Sequence, residues 1–420
     1  MGEAAVKERA PDERSVLFLV AAVQFVNICD FMILAPLGPQ LARTIGMAES
    51  HLADATAAYT FAAGIAGFFG SMFLDRFGRR AALTVAMIGL SLGTAAGGLA
   101  TSMTTLVLAR MLAGAFGGPA TSISLAIIAD VVPQERRGKA FGAVMGAFAA
   151  ASVLGVPLGI ALSEMGTWKT PLYAIAATGL VLTAIVRARL PPLRGHLLGH
   201  KAPERMRFPV ELLRRDVVLA SYAMTATVNM GAFILIPNIS TYVQNNLGLA
   251  TAQLKYMYFA GGIVSFFTTR AAGKLVDRFG AVGVGTVGTV IQAAVIYAGF
   301  ATTATLPWST HFLGSMYGVF MSFMFANGVR NVAYQALTSR VPRPTERASF
   351  MSLQSTVQHL AAGLGASLSA RIMSTSLDRK LVGFDVVAYV AVVFALTLPL
   401  LLRLVEQRLR GADPFPTPAR

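Results

Sequence analysis

The chain is built from apolar runs of about 20 residues or more, separated by short segments that carry Arg, Lys, Pro or Gly. At a rise of about 1.5 Å per residue, each run is long enough to cross the hydrocarbon core of a bilayer as a helix. Twelve such runs fall at approximately 15–41, 53–74, 80–101, 105–129, 138–163, 168–189, 216–244, 252–274, 281–303, 309–336, 346–376 and 384–406. None shows the ten-residue alternation of a membrane barrel, so strands are excluded. The expected fold class is an all-α integral membrane protein with twelve transmembrane helices. A mean hydropathy of +0.62, with 40 glycines in 420 residues, agrees with lipid as the main solvent.

A net charge of +15 would suggest nucleic acid as a partner for a soluble protein, so the placement of the charge decides. With the N-terminus set in the cytoplasm, 26 of the 35 Lys and Arg fall before helix 1, in the even-to-odd loops or the helix ends beside them, or at the C-terminal end. The opposite loops and the helix ends beside them hold only Arg43, Lys169, Lys255, Arg371, Arg379 and Lys380. This bias places both termini inside the cell, in a multi-pass protein of the inner (plasma) membrane, and leaves nucleic acid no role. The first run is too long for the core of a cleaved signal, so helix 1 is expected to be retained. MGEAAV lacks the Ser or Thr of a myristoylation site. The single cysteine, Cys29, lies within helix 1 and rules out an internal disulfide.

The tetrapeptide DRFG occurs twice, at 75–78 and at 277–280, an offset of 202 residues. Val132-Pro133 and Val341-Pro342 repeat at an offset of 209, and Glu135-Arg136 and Glu346-Arg347 at 211. The chain therefore reads as two pseudosymmetric six-helix bundles, 1–189 and 216–420, joined by a Pro-rich, basic cytoplasmic linker over 190–215. Parallel repeats of six spans point to alternating access about a site near the membrane midplane.

Over essentially its whole length the sequence resembles the major facilitator superfamily. SMFLDRFGRR resembles that family's G-x-x-x-D-R-x-G-R-R loop between helices 2 and 3, with Ser71 in place of the first glycine. GKLVDRFG keeps that glycine as Gly273 but lacks the trailing arginines. LARMLAGAFGG, around Arg110 and Gly114, resembles the R-x-x-x-G segment of helix 4. GVPLG, with Gly155, Pro157 and Gly159, resembles the helix 5 hinge of proton antiporters, although Ala143, Ser152 and Val156 stand where glycines are usual. With DFMILAPLGPQL on helix 1, the likeness is greatest to sugar-efflux and arabinose-efflux-like exporters. The resemblance implies a gating motif of Asp75, Arg76, Gly78, Arg79, Asp277, Arg278 and Gly280. In it Asp75 faces the start of helix 11 near Thr345, where unpaired N–H groups favour an anion. Gly78 would permit a tight turn, Arg79 and Arg80 would anchor the loop at the lipid surface, and Asp277 would sit near Arg136 and Arg137 at the start of helix 5. The alternative is that both copies are ordinary positive-inside loops with turn glycines.

A charge inside hydrocarbon costs at least about 2.5 kcal/mol, so mid-span ionisable residues are functional candidates. Three stand out: Asp30, Arg110 and Arg330. Gln24, Asn27 and Asp30 recur every three residues and form one polar stripe on helix 1. Asp30 and Arg110 lie at matching depth, both about 8–15 Å from the outer face. This is read as proton coupling: burial raises a carboxylate pKa while a nearby Arg110 lowers it, so movement between environments loads and releases a proton. A static structural pair is the alternative.

Candidate substrate ligands are Asn27, Asn229, Asn327, Arg330, Asn331, Gln354 and Gln358, with helix–helix hydrogen bonding as the alternative role. Arg330 has no membrane acid in its own half, so it would attract an anionic substrate group or neutralise Asp30 across the cleft. His359 is adjacent to Gln358, and His196 and His200 lack a third ligand, so neither a metal nor a cofactor is expected. The reading is a secondary transporter, working as a monomer, that exports a small drug, sugar or metabolite in exchange for protons. The alternatives are a proton-coupled importer or facilitator and, outside transport, a membrane ligand sensor. An enzyme is not expected, because no acid or histidine cluster stands at a membrane face.

Overall fold

In lipid a backbone amide finds partners only within its own helix, so the apolar runs have one stable form. The computed structural model describes residues 12–73, 77–133, 136, 140, 144, 146–193, 210–301, 315–343 and 347–412. The first six helices are α1 (Glu13–Ile45), α2 (Leu52–Phe73), α3 (Arg79–Gly98), α4 (Met103–Val131), α5 (Ala147–Met165) and α6 (Lys169–Arg189). The second six are α7 (Asp216–Asn245), α8 (Thr251–Phe279), α9 (Ala281–Ala301), α10 (Met316–Thr338), α11 (Arg347–Ile372) and α12 (Phe384–Ala412).

Nine of these helices are long and apolar enough by composition to cross a membrane. The other three, α8, α10 and α11, are diluted by Lys255 and Arg270, by Asn327, Arg330 and Asn331, and by Gln354, Gln358 and His359. Their polarity is tolerated because much of it turns toward other helices and not toward lipid.

The start of α1 is fixed by Asp12, whose carboxylate accepts from the Arg14 and Ser15 amides, both at 3.3 Å. A hydrogen bond from the Ser15 hydroxyl lowers the Asp12 pKa below its usual value. Proline shapes two other helices. In α5 it follows a π-helical turn, Ala151–Gly155, because Pro157 has no N–H to continue the regular ladder. In α7 the helix breaks between Phe233 and Ile236, one residue before Pro237.

Within the first bundle α4 packs on α2 and α3, and α3 on α6; within the second α10 packs on α8 and α9, and α7 on α11 and α12. The bundles meet along α2 with α11, α5 with α8, and α1 with α7. Glycines allow the first two contacts. A Cβ on Gly64 would stand 3.0 Å from the Cβ of His359, and one on Gly363 would stand 2.9 Å from the Phe61 ring. A Cβ on Gly262 would lie 2.9 Å from the Val153 backbone nitrogen. At α1 and α7, Phe31 and Phe233 meet with ring centroids 5.7 Å apart.

Polar contacts between the bundles gather at the end of the molecule remote from the termini. Lys255 Nζ of α8 lies 2.9 Å from Glu164 Oε2 of α5, and Gln244 Nε2 donates to the Pro36 carbonyl at 3.2 Å. A two-stranded hairpin between α11 and α12, pairing Ser374–Thr375 with Leu381–Val382, completes this end. It was not anticipated from sequence, where helix 11 was expected to run to 376. Asn246 closes both sides of the Leu381 backbone, donating to its carbonyl at 2.8 Å and accepting from its amide at 2.9 Å. The hairpin then reaches the other bundle: the Ser50 amide donates to Thr375 Oγ1 at 3.1 Å, and Arg379 Nη1 donates to Glu49 Oε1 at 3.1 Å. Glu49 is 1 % exposed, whereas Arg379 is half-exposed, so the pair is partly screened.

Glu49→Gln should therefore loosen this end by about 0.5–1 kcal/mol, a two- to five-fold gain in the open population. Spin labels at His51 and Leu377 would read it as growth of the longer-distance peak, and an unchanged distance distribution would count against the clamp.

Candidate functional site

The polar stripe on α1 is positioned by glycines on α4. A Cβ on Gly114 would run into the Tyr59 carbonyl, and one on Gly118 into the Ala63 carbonyl, so α4 and α2 are in backbone contact. That approach sets the Tyr59 ring beside Arg110, whose guanidinium carbon lies 4.5 Å from the ring centroid. Gly117 leaves the space that the Tyr59 hydroxyl and the Asn27 carbonyl oxygen occupy.

In this niche Arg110 Nη1 lies 2.9 Å from Asp30 Oδ1, and the two side chains are 2 % and 0 % exposed. Arg110 Nη2 also donates to the Asp30 backbone carbonyl at 3.4 Å. The Thr94 hydroxyl of α3 stands 2.8 Å from Asp30 Oδ1 and 2.8 Å from the Leu90 carbonyl. Having one proton, it donates to either acceptor but not to both at once. Asp30 Oδ2 and Arg110 Nε have no partner among the described residues. A continuous amide and hydroxyl chain runs alongside. Tyr59 donates to Asn27 Oδ1 at 2.8 Å, Asn27 Nδ2 donates to Gly117 O at 3.0 Å and to Thr121 Oγ1 at 2.9 Å, and Thr121 donates to Gln24 Oε1 at 3.3 Å.

The second bundle is arranged differently. Arg330 is 2 % exposed, and Nη2 donates to Asn327 Oδ1 at 3.3 Å. Tyr334 lies beside it, with its hydroxyl against the Asn229 side chain, and Asn229 Nδ2 donates to the Thr225 carbonyl at 2.8 Å. Arg330 does not neutralise Asp30, because Asp30 is already held by Arg110. Asn331 is half-buried, Gln354 is buried with Oε1 unpartnered, and Gln358 is exposed on the same helix. His359 Nδ1 faces the Ser355 carbonyl at 2.8 Å.

The gating motif departs from expectation where it is described. Arg79 is buried and its Nε donates to Asp130 Oδ2 at the end of α4 at 2.9 Å, so it ties α3 to α4 and does not anchor at the lipid surface. Arg80 Nη1 donates to the Leu190 carbonyl at the end of α6 at 3.2 Å. Gly78 has φ −60°, open to any residue, so no left-handed turn explains it. Its counterpart Gly280 has φ +81°, where a side chain would be strained. Asp277 and Arg278 are exposed, and Arg136 pairs with Glu13 of α1 at 2.8 Å and not with Asp277. Asp75, Arg76, Arg137, His196, His200 and Thr345 lie outside the described residues.

Gly155 and Gly159 have a clear packing role, since a Cβ on either would collide with Cys29 Sγ or Ile33 Cδ1 of α1. An open pocket of about 430 Å³ lies at the hairpin end, lined by Arg43, Glu164 and Gln244 among others, well away from the buried pair. Sequence reasoning missed Tyr59, Thr94 and Thr121. No periodic signal marks Thr94, because a helical threonine ordinarily bonds its own i−4 carbonyl, as this one also does. The offset of four between Gly114 and Gly118 could have pointed to α2, and so to Tyr59.

Two six-helix bundles meeting along three pairs of helices, with a buried ion pair inside one of them, define a membrane transporter. A family model described as the Major Facilitator Superfamily matches residues 20–366, and the chain belongs to that family. It is 22 % identical over 89 % of its length, and 93 % of the relative, to an uncharacterized MFS-type transporter, YceJ, of Bacillus subtilis. It is 25 % identical to the purine ribonucleoside efflux pump NepI of Escherichia coli K12, covering 63 % of this chain and 64 % of that one. Among solved structures, a bacterial homolog of the human lysosomal transporter Spinster, inward-facing and occupied, superposes with a TM-score of 0.74 at 17 % identity, covering 96 % of this chain and 99 % of that one. A D-xylose-proton symporter does so at 0.72 and 17 %, covering 92 % and 97 %.

Removing one member of the buried pair leaves the other charge uncompensated, which costs about 3–5 kcal/mol. Arg110→Gln should therefore lower the unfolding temperature or the yield sharply, and adding Asp30→Asn should recover most of the loss. A double variant no more stable than Arg110→Gln would show that the charge pairing is not what holds these helices.

Proposed function

We propose that the protein exports a small organic molecule in exchange for protons by alternating access, with Asp30 as the proton site. The bundles, about residues 1–189 and 216–420, would rock about a substrate site near the membrane midplane while the linker 190–215 joins them. The positive-inside bias supports an inner (plasma) membrane protein with both termini cytoplasmic, and membership of the family supports a monomer. In that orientation the hairpin end is extracellular, and the contacts gathered there fit a state open toward the cytoplasm. Export is supported by the name of the efflux relative.

The observation that carries the reading is the sealed Asp30–Arg110 pair with Thr94 against it. An ionised Asp30 accepts from both Arg110 and Thr94. On protonation the attraction to Arg110 falls, and the carboxyl proton can be donated to Thr94 Oγ1 while Thr94 turns its own proton to the Leu90 carbonyl. Both charge states thus have a hydrogen-bonded arrangement, and the difference between them is the grip on Arg110. Loosening that grip frees α1 relative to α4, which gives proton binding a mechanical output.

The test is transport in proteoliposomes with an imposed pH gradient, screening a panel of small molecules. Asp30→Asn keeps the shape and removes the titration, so it should abolish gradient-driven uphill transport while sparing at least part of the counterflow. Uphill transport at wild-type rate by this variant would reject Asp30 as the proton site.

A further inference from the structure

Among the described residues three buried charged side chains lie in the middle of the spans: Asp30 on α1, Arg110 on α4 and Arg330 on α10. The first two neutralise each other. Arg330 has no carboxylate partner among the described residues; its one hydrogen bond is to Asn327, and its buried Nε has no acceptor. A guanidinium cannot discharge by losing a proton, so the second bundle holds a desolvated cation that only an amide and a phenol attend.

The internal repeat says what this position is. Asn229 follows Asn27 by 202 residues, the offset of the two DRFG segments. Arg330 follows Thr121 by 209, the offset of the two Val-Pro pairs. In the first bundle Asn27 and Thr121 are bonded at 2.9 Å in the polar chain that lines α1 and α4. The same place in the second bundle is therefore filled by Arg330, with Tyr334 one turn further along α10 and Asn229 facing them from α7. The residue 202 after Asp30 is Ala232, so the repeat carries over the amide and drops the acid.

We propose that Arg330, with Asn327, Asn229 and Tyr334, binds the anionic group of the transported molecule, a carboxylate or phosphate oxyanion. This rests on reading the space between the bundles as the substrate path. Arg330 supplies a planar fork matched to two oxygens, Tyr334 a hydroxyl donor, half-buried Asn327 an amide donor, and buried Asn229 the side chain that holds the Tyr334 hydroxyl. The substrate would bring the negative charge that the repeat has lost, so binding and charge neutralisation become one event. Neutral sugars and cations would gain nothing from this site.

The purified protein in nanodiscs can be tested by thermal unfolding against organic carboxylates and phosphate monoesters, each paired with its neutral amide or parent alcohol, together with inorganic phosphate and chloride. At least one organic anion should raise the unfolding midpoint while its neutral partner does not. Arg330→Gln should raise the concentration needed by about 10- to 100-fold, with Arg330→Lys between. Without added anion, Arg330→Gln should unfold at the same temperature as the wild type or higher, because it removes an uncompensated charge. Asp30→Asn should keep the anion response, so failure of proton coupling and failure of the anion site read out separately. The proposal is overturned by stabilisation that survives Arg330→Gln, by neutral partners acting equally, or by no anion response across the panel. A response to inorganic phosphate or chloride alone would make the anion a structural counter-ion and overturn the substrate role. So would a drop of several degrees in anion-free Arg330→Gln, which marks a structural arginine.

Discussion

A charge in hydrocarbon must be met by another charge or by a ring of dipoles, and much of the first bundle is arranged around one such meeting. Asp30 and Arg110 are both sealed from solvent and lie 2.9 Å apart. A pair of this kind roughly breaks even against its own desolvation, so it is not a source of stability so much as a constraint on geometry. That constraint reaches outward. Arg110 can stand at the right depth only because Gly114 and Gly118 let α4 touch the α2 backbone, and the same contact brings in Tyr59. Tyr59 in turn fixes Asn27, and Asn27 fixes Thr121. With Thr94 of α3 against Asp30, four helices are thus registered by one ion pair and the small residues that admit it.

The contact between the bundles follows the opposite rule. It is made by glycines facing bulky or backbone groups, at Gly64, Gly262 and Gly363, with few hydrogen bonds at mid-depth. Lipid supplies no hydrophobic drive for helices to associate, so such surfaces hold by close packing and separate without leaving polar groups unsatisfied. The specific polar ties are placed at the hairpin end, where water can replace them: Glu164 with Lys255, Glu49 with Arg379, and Ser50 with Thr375. An interface built this way can part and re-form at low cost, so under the proposed alternating access a bound ligand or proton can bias which side is open.

Much of this was legible in the sequence. Helix length reports a constraint imposed by the bilayer itself, and the bilayer acts on composition, while the double DRFG reports that the bundle is written twice. The matching depths of Asp30 and Arg110 were legible for the same reason, since two buried opposite charges must lie level to meet. What stayed hidden depends on local geometry and not on composition. Arg79 lies in a basic loop, and nothing in its own segment says that Asp130, at the far end of α4, will take it. The hairpin after α11 has strands of two residues, too short for any periodicity to show. The glycines of GVPLG read as a hinge but sit where they do because Cys29 and Ile33 leave no room for a Cβ.

The repeat is most informative where it fails. A duplicated bundle starts with two equal sites, and here Asn27 and Asn229 still correspond while Asp30 has become Ala232 and Thr121 has become Arg330 in its counterpart. The first bundle thereby holds a balanced pair, neutral while Asp30 is ionised and positive by one charge once Asp30 is protonated. The second holds a cation that is neutral only when an anion sits on it. If the two proposed sites act as assigned, the interior is most nearly neutral with the anion bound and Asp30 ionised, and most positive with the proton bound and the anion gone. Since each surplus charge raises the free energy of a low-dielectric interior, anion and proton states are linked without any contact between them. The linkage is reciprocal and favourable: a proton on Asp30 strengthens the hold on an anion, and a bound anion strengthens the hold on a proton. An exchange of the two must therefore come from the loosening of α1 from α4 that protonation is proposed to drive, acting against this electrostatic preference for joint binding, and the preference itself follows from where the duplicated chain stopped matching itself.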